Sequence, residues 1–242
     1  MPDPEVTTIA TWNVNSVKAR LNNVTEWFDK KQPDIALLQE IKCQTENFPT
    51  EEFENLGYHC TVVGQKSYNG VALLSKLPAE DVVTALPGDE EDDQARYVEA
   101  KVGDIRVASI YLPNGNPSDT PKYTYKLSWM DRLRDHALSL LEAEETAVLG
   151  GDYNVIPAPQ DCYDPNAWAD DALFRLETRQ KFRAIENLGF TEAFRALNER
   201  PHAYTFWDYQ ARGWELDKGI RIDHFLLTPK AADRLQGCEI DR

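Results

Sequence analysis

A chain of 242 residues, 42% hydrophobic and 28% charged, has the size and balance of a soluble globular protein that can bury a substantial core. No uninterrupted apolar run approaches the roughly 20 residues of a membrane span, and the opening Met1-Pro-Asp-Pro-Glu5 lacks the pattern of a signal peptide. The formal net charge of −15 argues against a broadly basic nucleic-acid-binding surface, although it does not report the field inside a cleft.

In chain order, Val6–Trp12 alternates as a strand does, and Leu21, Val24 and Phe28 then recur at helical spacing until Pro33 stops the helix. Ile35–Gln39 reads as a second, buried strand. Tyr58–Val63 and Val71–Ser75 are expected to pair around the turn-forming Asn69-Gly70, and Tyr97–Val102 with Ile105–Leu112 around Gly103-Asp104. The run Asp89–Asp93 is a solvated loop, expected to lie away from any anion site. Pro113–Pro117 is irregular, and Tyr123–Glu145 is a long amphipathic helix carrying Leu127, Met130, Leu133 and Ala137. Thr146–Leu149 is a short buried strand, followed by a proline-rich loop over Val155–Pro159. A helix over Glu177–Leu188 closes at Gly189, Tyr204–Tyr209 and Arg221–Leu227 read as strands, and a last helix opens near Pro229. With no linker or repeat, residues 1–242 read as one domain of two packed sheets with helices outside. Four widely spaced cysteines, Cys43, Cys60, Cys162 and Cys238, form no C-x-x-C pair and read as reduced thiols of a cytoplasmic protein.

Polar residues recur where the apolar strands end: Asn13 and Asn15, Glu40, Tyr111 with Asn114, Asp152 with Asn154, and Asp223. Each has a plain alternative. Gly151-Asp152-Tyr153-Asn154 could be an Asx turn, Glu40 a surface carboxylate, Asn13 a turn cap, and Asp223 a partner of Arg221. Their recurrence is harder to dismiss. Loops beyond strand ends are where sites are commonly built. Carboxylate and amide oxygens suit Mg²⁺, which keeps waters and takes only one or two carboxylates; no convergent His or Cys set suggests zinc. Oxygen ligands, a candidate base and amide donors together are the equipment of metal-assisted phosphoester hydrolysis.

Six motifs stand in order: Thr11-Trp-Asn-Val-Asn15, Leu37-Leu-Gln-Glu-Ile-Lys42, Gly64-Gln-Lys-Ser-Tyr-Asn-Gly70, Tyr111-Leu-Pro-Asn-Gly115, Gly150-Gly-Asp-Tyr-Asn154 and Gly219-Ile-Arg-Ile-Asp223. In this the chain resembles the bacterial exonuclease III family, within the endonuclease/exonuclease/phosphatase (DNase I-like) superfamily, over nearly all of Val6 to Cys238. The resemblance implies a four-layer α/β sandwich, with two mostly antiparallel sheets face to face, helices outside and the site at one end. It implies a Mg²⁺-dependent nuclease, with Mn²⁺ as a substitute, that acts as a monomer on duplex DNA at abasic sites and 3′ ends. Glu40 matches the principal metal ligand, with Asn13 beside it. Asp152 matches the residue that activates or positions the attacking water. Asn154 matches the holder of that water or of the developing phosphorane oxygens, and Asp152 and Asn154 together offer a second metal position. Tyr111 matches the tyrosine near the scissile phosphate, and Asp223 the carboxylate that orients a catalytic histidine. Asn15, Lys42, Asn69 and Asn114 are expected to contact phosphates. Trp207, with Tyr209 and Arg212 nearby, matches a loop that probes the abasic position, the alternative for Trp207 being a core aromatic.

The family pattern closes with a Ser-Asp-His motif and a final strand. None of His59, His136, His202 or His224 stands in that context, and His224 should face away from Asp223 on a strand. The sequence therefore reads as a fragment lacking its C-terminus. The rival readings are another phosphoesterase of the superfamily and a catalytically dead DNA-binding fragment.

Overall fold

The computed structural model describes residues 6–208 and 212–241. The chain divides into two compact units. One runs to Tyr111 and includes Leu149–Gly151; the other comprises Leu112–Val148 and the residues from Asp152 onward.

In the first unit, β1 (Ile9–Asn13), α1 (Leu21–Lys31) and β2 (Ile35–Gln39) form a β-α-β crossing, and β1 and β2 pair in parallel. A short helix α2 (Thr50–Glu54) precedes β3 (His59–Val63) and β4 (Val71–Ser75), which pair antiparallel as expected from Asn69-Gly70. The resulting sheet has the order β1-β2-β4-β3. Its outer face packs on Val24 and Phe28 of α1 and on Phe53 and Tyr58, with Phe28 edge-on to both rings. Then come β5 (Ala79–Val83), β6 (Tyr97–Val102) and β7 (Ile105–Tyr111), antiparallel neighbours. Strands β2 and β4 pack against β6 and β7, so β2 and β4 are buried along their whole length. Polar side chains bond across that apolar layer, Ser109 Oγ donating to Leu38 O at 3.0 Å. The fully buried Gln39 amide donates to Ser109 Oγ at 3.0 Å and to Thr11 Oγ1 at 3.1 Å, so the ends of β1, β2 and β7 are pinned together.

The second unit holds α3 (Pro121–Glu142), the ends of β8 (Ala147–Asp152), α4 (Leu176–Glu186), β9 (Thr191–Glu192), α5 (Ala193–Leu197), β10 (Phe206–Trp207), β11 (Gly219–Ile220), β12 (Asp223–Leu227) and α6 (Pro229–Ala232). Helices α3 and α4 pack together, and β12 is joined to β8 by Thr228 N donating to Ala147 O at 3.0 Å. The second sheet has six strands in the order β5-β6-β7-β8-β12-β9. With mixed sheets of four and six strands flanked by helices, the fold is the expected α/β sandwich. The close approach of β7 and β8 requires Gly151, where an added Cβ would lie 2.0 Å from Ile110 O.

The structure corrects several boundaries. The first strand begins at Ile9, not Val6. Arg221–Leu227 is not one strand: Arg221 and Ile222 leave the ladder between β11 and β12 so that the Arg221 side chain can be buried. The Tyr204–Tyr209 strand contracts to Phe206–Trp207, and Tyr209 lies outside the described residues. The edge strand β5 was not expected, because its half-exposed Ala-Glu-Asp-Val-Val shows no alternation and carries a bulge. No helix among the described residues is long and apolar enough to cross a membrane, and the four cysteines are free.

Candidate active site

In the first unit, five of the expected residues meet around Glu40. The chain leaves β2 through left-handed conformations at Glu40 (φ 50°) and Lys42 (φ 52°), and it leaves β1 through Asn15 (φ 44°) and Ser16 (φ 83°). Non-glycine residues held there are strained, and such strain concentrates at functional sites. The two exits are laced by Val14 N to Gln39 O at 3.0 Å, Ser16 N to Glu40 O at 2.7 Å and Val17 N to Ile41 O at 3.2 Å. Asn13 Nδ2 donates to Glu40 Oε1 at 2.8 Å, Lys42 Nζ lies 2.9 Å from Glu40 Oε2, and Lys42 also donates to Asn15 Oδ1 at 2.6 Å. The Tyr111 hydroxyl is a further hydrogen-bond partner of Glu40. Burial by itself would raise the Glu40 pKa. The bonds from Asn13, Lys42 and Tyr111 outweigh it, so the carboxyl is held below its ordinary value and stays ionised. Asn69 joins through its backbone, its O accepting Lys42 N at 3.0 Å.

In the second unit, Asp152 and Asn154 sit beyond β8, both 4% exposed. Asp152 Oδ1 accepts Asn154 N at 2.9 Å, which is the Asx turn of the plain reading. The Asn154 side chain is anchored at both ends, its Nδ2 donating to Leu112 O at 2.8 Å and its Oδ1 accepting Asn114 Nδ2 at 3.2 Å, which leaves an N–H and an oxygen lone pair for a further partner. Asn114 and Asn154 are thus neighbours. Asp223 stands close enough for the Asp152 charge to act on it. Burial first, and that like charge second, push its carboxyl well above the usual range, against the hydrogen bond from Thr205. Arg221 is not the partner of Asp223. It turns inward to Asp161 (2.9 Å) and Glu192 (2.9 Å), and His224 is buried beside it, facing away from Asp223 as expected.

Trp207 ends β10, paired with Gly219 of β11, and Arg212 lies in the segment between these two strands. The Trp207 indole donates to Asp217 Oδ1 at 3.0 Å and packs edge-on against Trp214, and the exposed Arg212 pairs with Glu215. Trp207 is partly exposed, so it is not the core aromatic of the alternative reading; it is Phe206 beside it that is more open, at 40%.

Two residues were missed. Lys126 is fully buried on α3 and donates to Asn154 O at 2.5 Å and Asn114 O at 3.1 Å, so it fixes the backbone of both asparagines. Burial lowers its pKa to about 7, opposed by the charges of Asp152 and Asp171. A signal existed, for Lys126 stands in register with Tyr123, Met130, Leu133 and Ala137 on the buried stripe, where a lysine is out of place. Arg96, whose guanidinium stacks 4.9 Å from the centroid of Tyr111, had no such signal.

Among the described residues, no three His, Cys, Asp or Glu groups converge as a metal cluster. Glu40, kept ionised, is a single carboxylate of the kind that Mg²⁺ accepts; Asn13 turns its Nδ2 to Glu40 and its Oδ1 to Asn15 N at 3.1 Å. The acidic run Asp89–Asp93 is a loop as expected, but it leads directly into Gln94 and Arg96 beside Asn69 and Tyr111, so it is not remote from this cluster.

Comparison with known proteins agrees with this chemistry. The family model described as Endonuclease/Exonuclease/phosphatase family matches residues 10–241. Exodeoxyribonuclease III of Haemophilus influenzae is 32% identical over 236 residues, covering 93% of this chain and 88% of that protein. Among solved structures, an AP endonuclease from Archaeoglobus fulgidus superposes with a TM-score of 0.90 at 36% identity, covering 94% of this chain and 89% of that one. The 3′-5′ exonuclease NExo from Neisseria meningitidis gives 0.91 at 37% identity, covering 93% and 88%. The motifs, the sandwich and the two polar clusters therefore have one explanation: this chain belongs to the endonuclease/exonuclease/phosphatase family.

Proposed function

We propose that the protein is a Mg²⁺-dependent DNA-repair nuclease of the exonuclease III and AP endonuclease type. It would cut duplex DNA 5′ to abasic sites and remove nucleotides from 3′ ends. The observation that carries this reading is the ionised Glu40, fixed by Asn13, Lys42 and Tyr111 on strained turns. The relatives' names support it, and NExo, described as a 3′ phosphatase, has been solved bound to a product DNA hairpin.

Glu40 and Asn13 would hold the metal, which supplies Lewis-acid stabilisation of phosphoryl oxygens when bound. Asp152, oriented by Asn154 N, is the proposed base for the attacking water, and Asp152 with Asn154 offers a second metal position. Asn154, its amide and backbone both fixed, would hold that water. The Tyr111 hydroxyl, a hydrogen-bond partner of Glu40, would meet the scissile phosphate, and Asp223 would orient a basic partner. Asn15, Lys42, Asn69 and Asn114 are proposed phosphate contacts, and Trp207 and Arg212 the abasic-site probe. Free thiols favour the cytoplasm, and we take the working form to be a monomer.

Assay of an abasic duplex, a recessed 3′ end, a 3′-phosphate end and a lipid phosphate tests the reading. Cleavage of the first two is expected, lost in chelator and in Glu40→Gln. Turnover in excess chelator, or of the lipid alone, refutes it.

A further inference from the structure

A hydrogen-bonded chain in the first unit joins a proposed DNA contact to the proposed catalytic tyrosine. Asn69, left-handed at φ 53°, donates from Nδ2 to Gln65 Oε1 at 2.9 Å and to Gln94 Oε1 at 3.4 Å. Gln65 Oε1 also accepts Ala95 N at 3.1 Å, and Gly70 N donates to Ala95 O at 2.8 Å, so the two segments are tied side by side. Gln94 Oε1 in turn accepts Arg96 Nε at 2.8 Å. Arg96 ends the chain on Tyr111: its guanidinium lies over the ring, its Nη1 donates to Tyr111 O at 3.3 Å, and its own O accepts Tyr111 N at 2.8 Å. The Tyr111 hydroxyl then meets Glu40.

We propose that Arg96 is a positioning residue which, through Gln94, couples phosphate contact at Asn69 to the orientation of the Tyr111 ring. The proposal rests on the reading of Asn69 as a phosphate contact and of Tyr111 as catalytic. The physical basis is the unequal pair of bonds that Asn69 makes. Its 3.4 Å bond to Gln94 is the weak one. A phosphate oxygen that draws this amide hydrogen away leaves Gln94 Oε1 to Arg96 alone. The guanidinium is then held more firmly across the ring. A planar fork can serve Gln94 and the Tyr111 carbonyl at once while its face covers an aromatic ring; an ammonium cannot. Misplacement of a catalytic group by about 1 Å is enough to cost on the order of 10²-fold in rate, so a modest loosening of Tyr111 is readable in kcat.

The test is a pair of double-mutant cycles on an abasic duplex, with kcat and KM measured separately. Arg96→Lys is expected to lower kcat about tenfold with KM changed less than about twofold, and the Arg96→Lys, Tyr111→Phe double variant to be no slower than Tyr111→Phe. Asn69→Ala combined with Arg96→Lys should likewise cost less in kcat than the product of the single losses. Gln94→Ala, which cuts the same chain with Arg96 intact, should repeat the pattern and serves if Arg96→Lys does not fold. Full additivity in the cycles, with Tyr111→Phe impaired, overturns the coupling and leaves Tyr111 catalytic. A fully active Tyr111→Phe overturns both.

Discussion

Arg221→Met tests what holds the second cluster. The Arg221 side chain is 2% exposed and bridges two buried carboxylates, Asp161 and Glu192, at 2.9 Å each. Its neighbour Ile222 accepts Tyr153 N at 2.9 Å, which sets Asp152 and Asn154 against the residues leading to Asp223. Removing one partner of a buried ion pair typically costs about 3–5 kcal/mol, because the other charge stays buried. That is a large share of a total stability of about 5–15 kcal/mol. The sign of the pH effect follows from Glu192. Burial would raise its pKa from 4.5, but the hydrogen bond from His224 and the charge of Arg221 hold it down to about 2. A depressed folded-state pKa stabilises above the unfolded value and loses that stabilisation as pH falls toward the folded one. For these values, acidification from pH 6 to pH 3 removes about 2 kcal/mol from the native protein. Without Arg221 the carboxyl keeps the His224 bond but loses the guanidinium charge, so it is held down less firmly and the variant loses less. Urea unfolding of both proteins by tryptophan fluorescence should show a gap of about 3–5 kcal/mol at pH 7 that narrows at pH 3 by part of that roughly 2 kcal/mol. A gap below about 1 kcal/mol at pH 7, or one unchanged with pH, would refute the buried-pair account.

Two further outcomes concern the proposed chemistry. Asp152→Asn should bind an abasic duplex at least as well as the unmutated protein, while single-turnover cleavage falls by several orders of magnitude; an unchanged rate at saturation would reassign Asp152 to substrate positioning. DNA affinity should fall with added KCl along a shallow slope set by a few phosphate contacts, and neutralising Asp89–Asp93, which leads into Gln94 beside Asn69, should raise affinity most at low salt and progressively less as salt screens the charge. An activity optimum near molar salt would contradict this.

The sequence by itself determined the elements whose signal is local. The parallel β1–β2 crossing is legible because Val24 and Phe28 mark one face of α1 and Pro33 ends it. The β3–β4 and β6–β7 pairs are legible from turn chemistry at Asn69-Gly70 and Gly103-Asp104. Placing Glu40, Tyr111 and Asp152 at strand ends needed only the alternation of apolar and polar residues, and the six spaced motifs pointed to the family. Tertiary structure decided what depends on partners distant along the chain. Nothing local says that Gln39 pins β1, β2 and β7, or that Arg221 must leave the ladder to satisfy Asp161 and Glu192, sixty and twenty-nine residues away. Nor does it say that a lysine on α3 will be stripped of water to hold two asparagine carbonyls. Burial of charge is favourable only when a partner is already in place, and it is the assembled fold, not the local sequence, that supplies the partner.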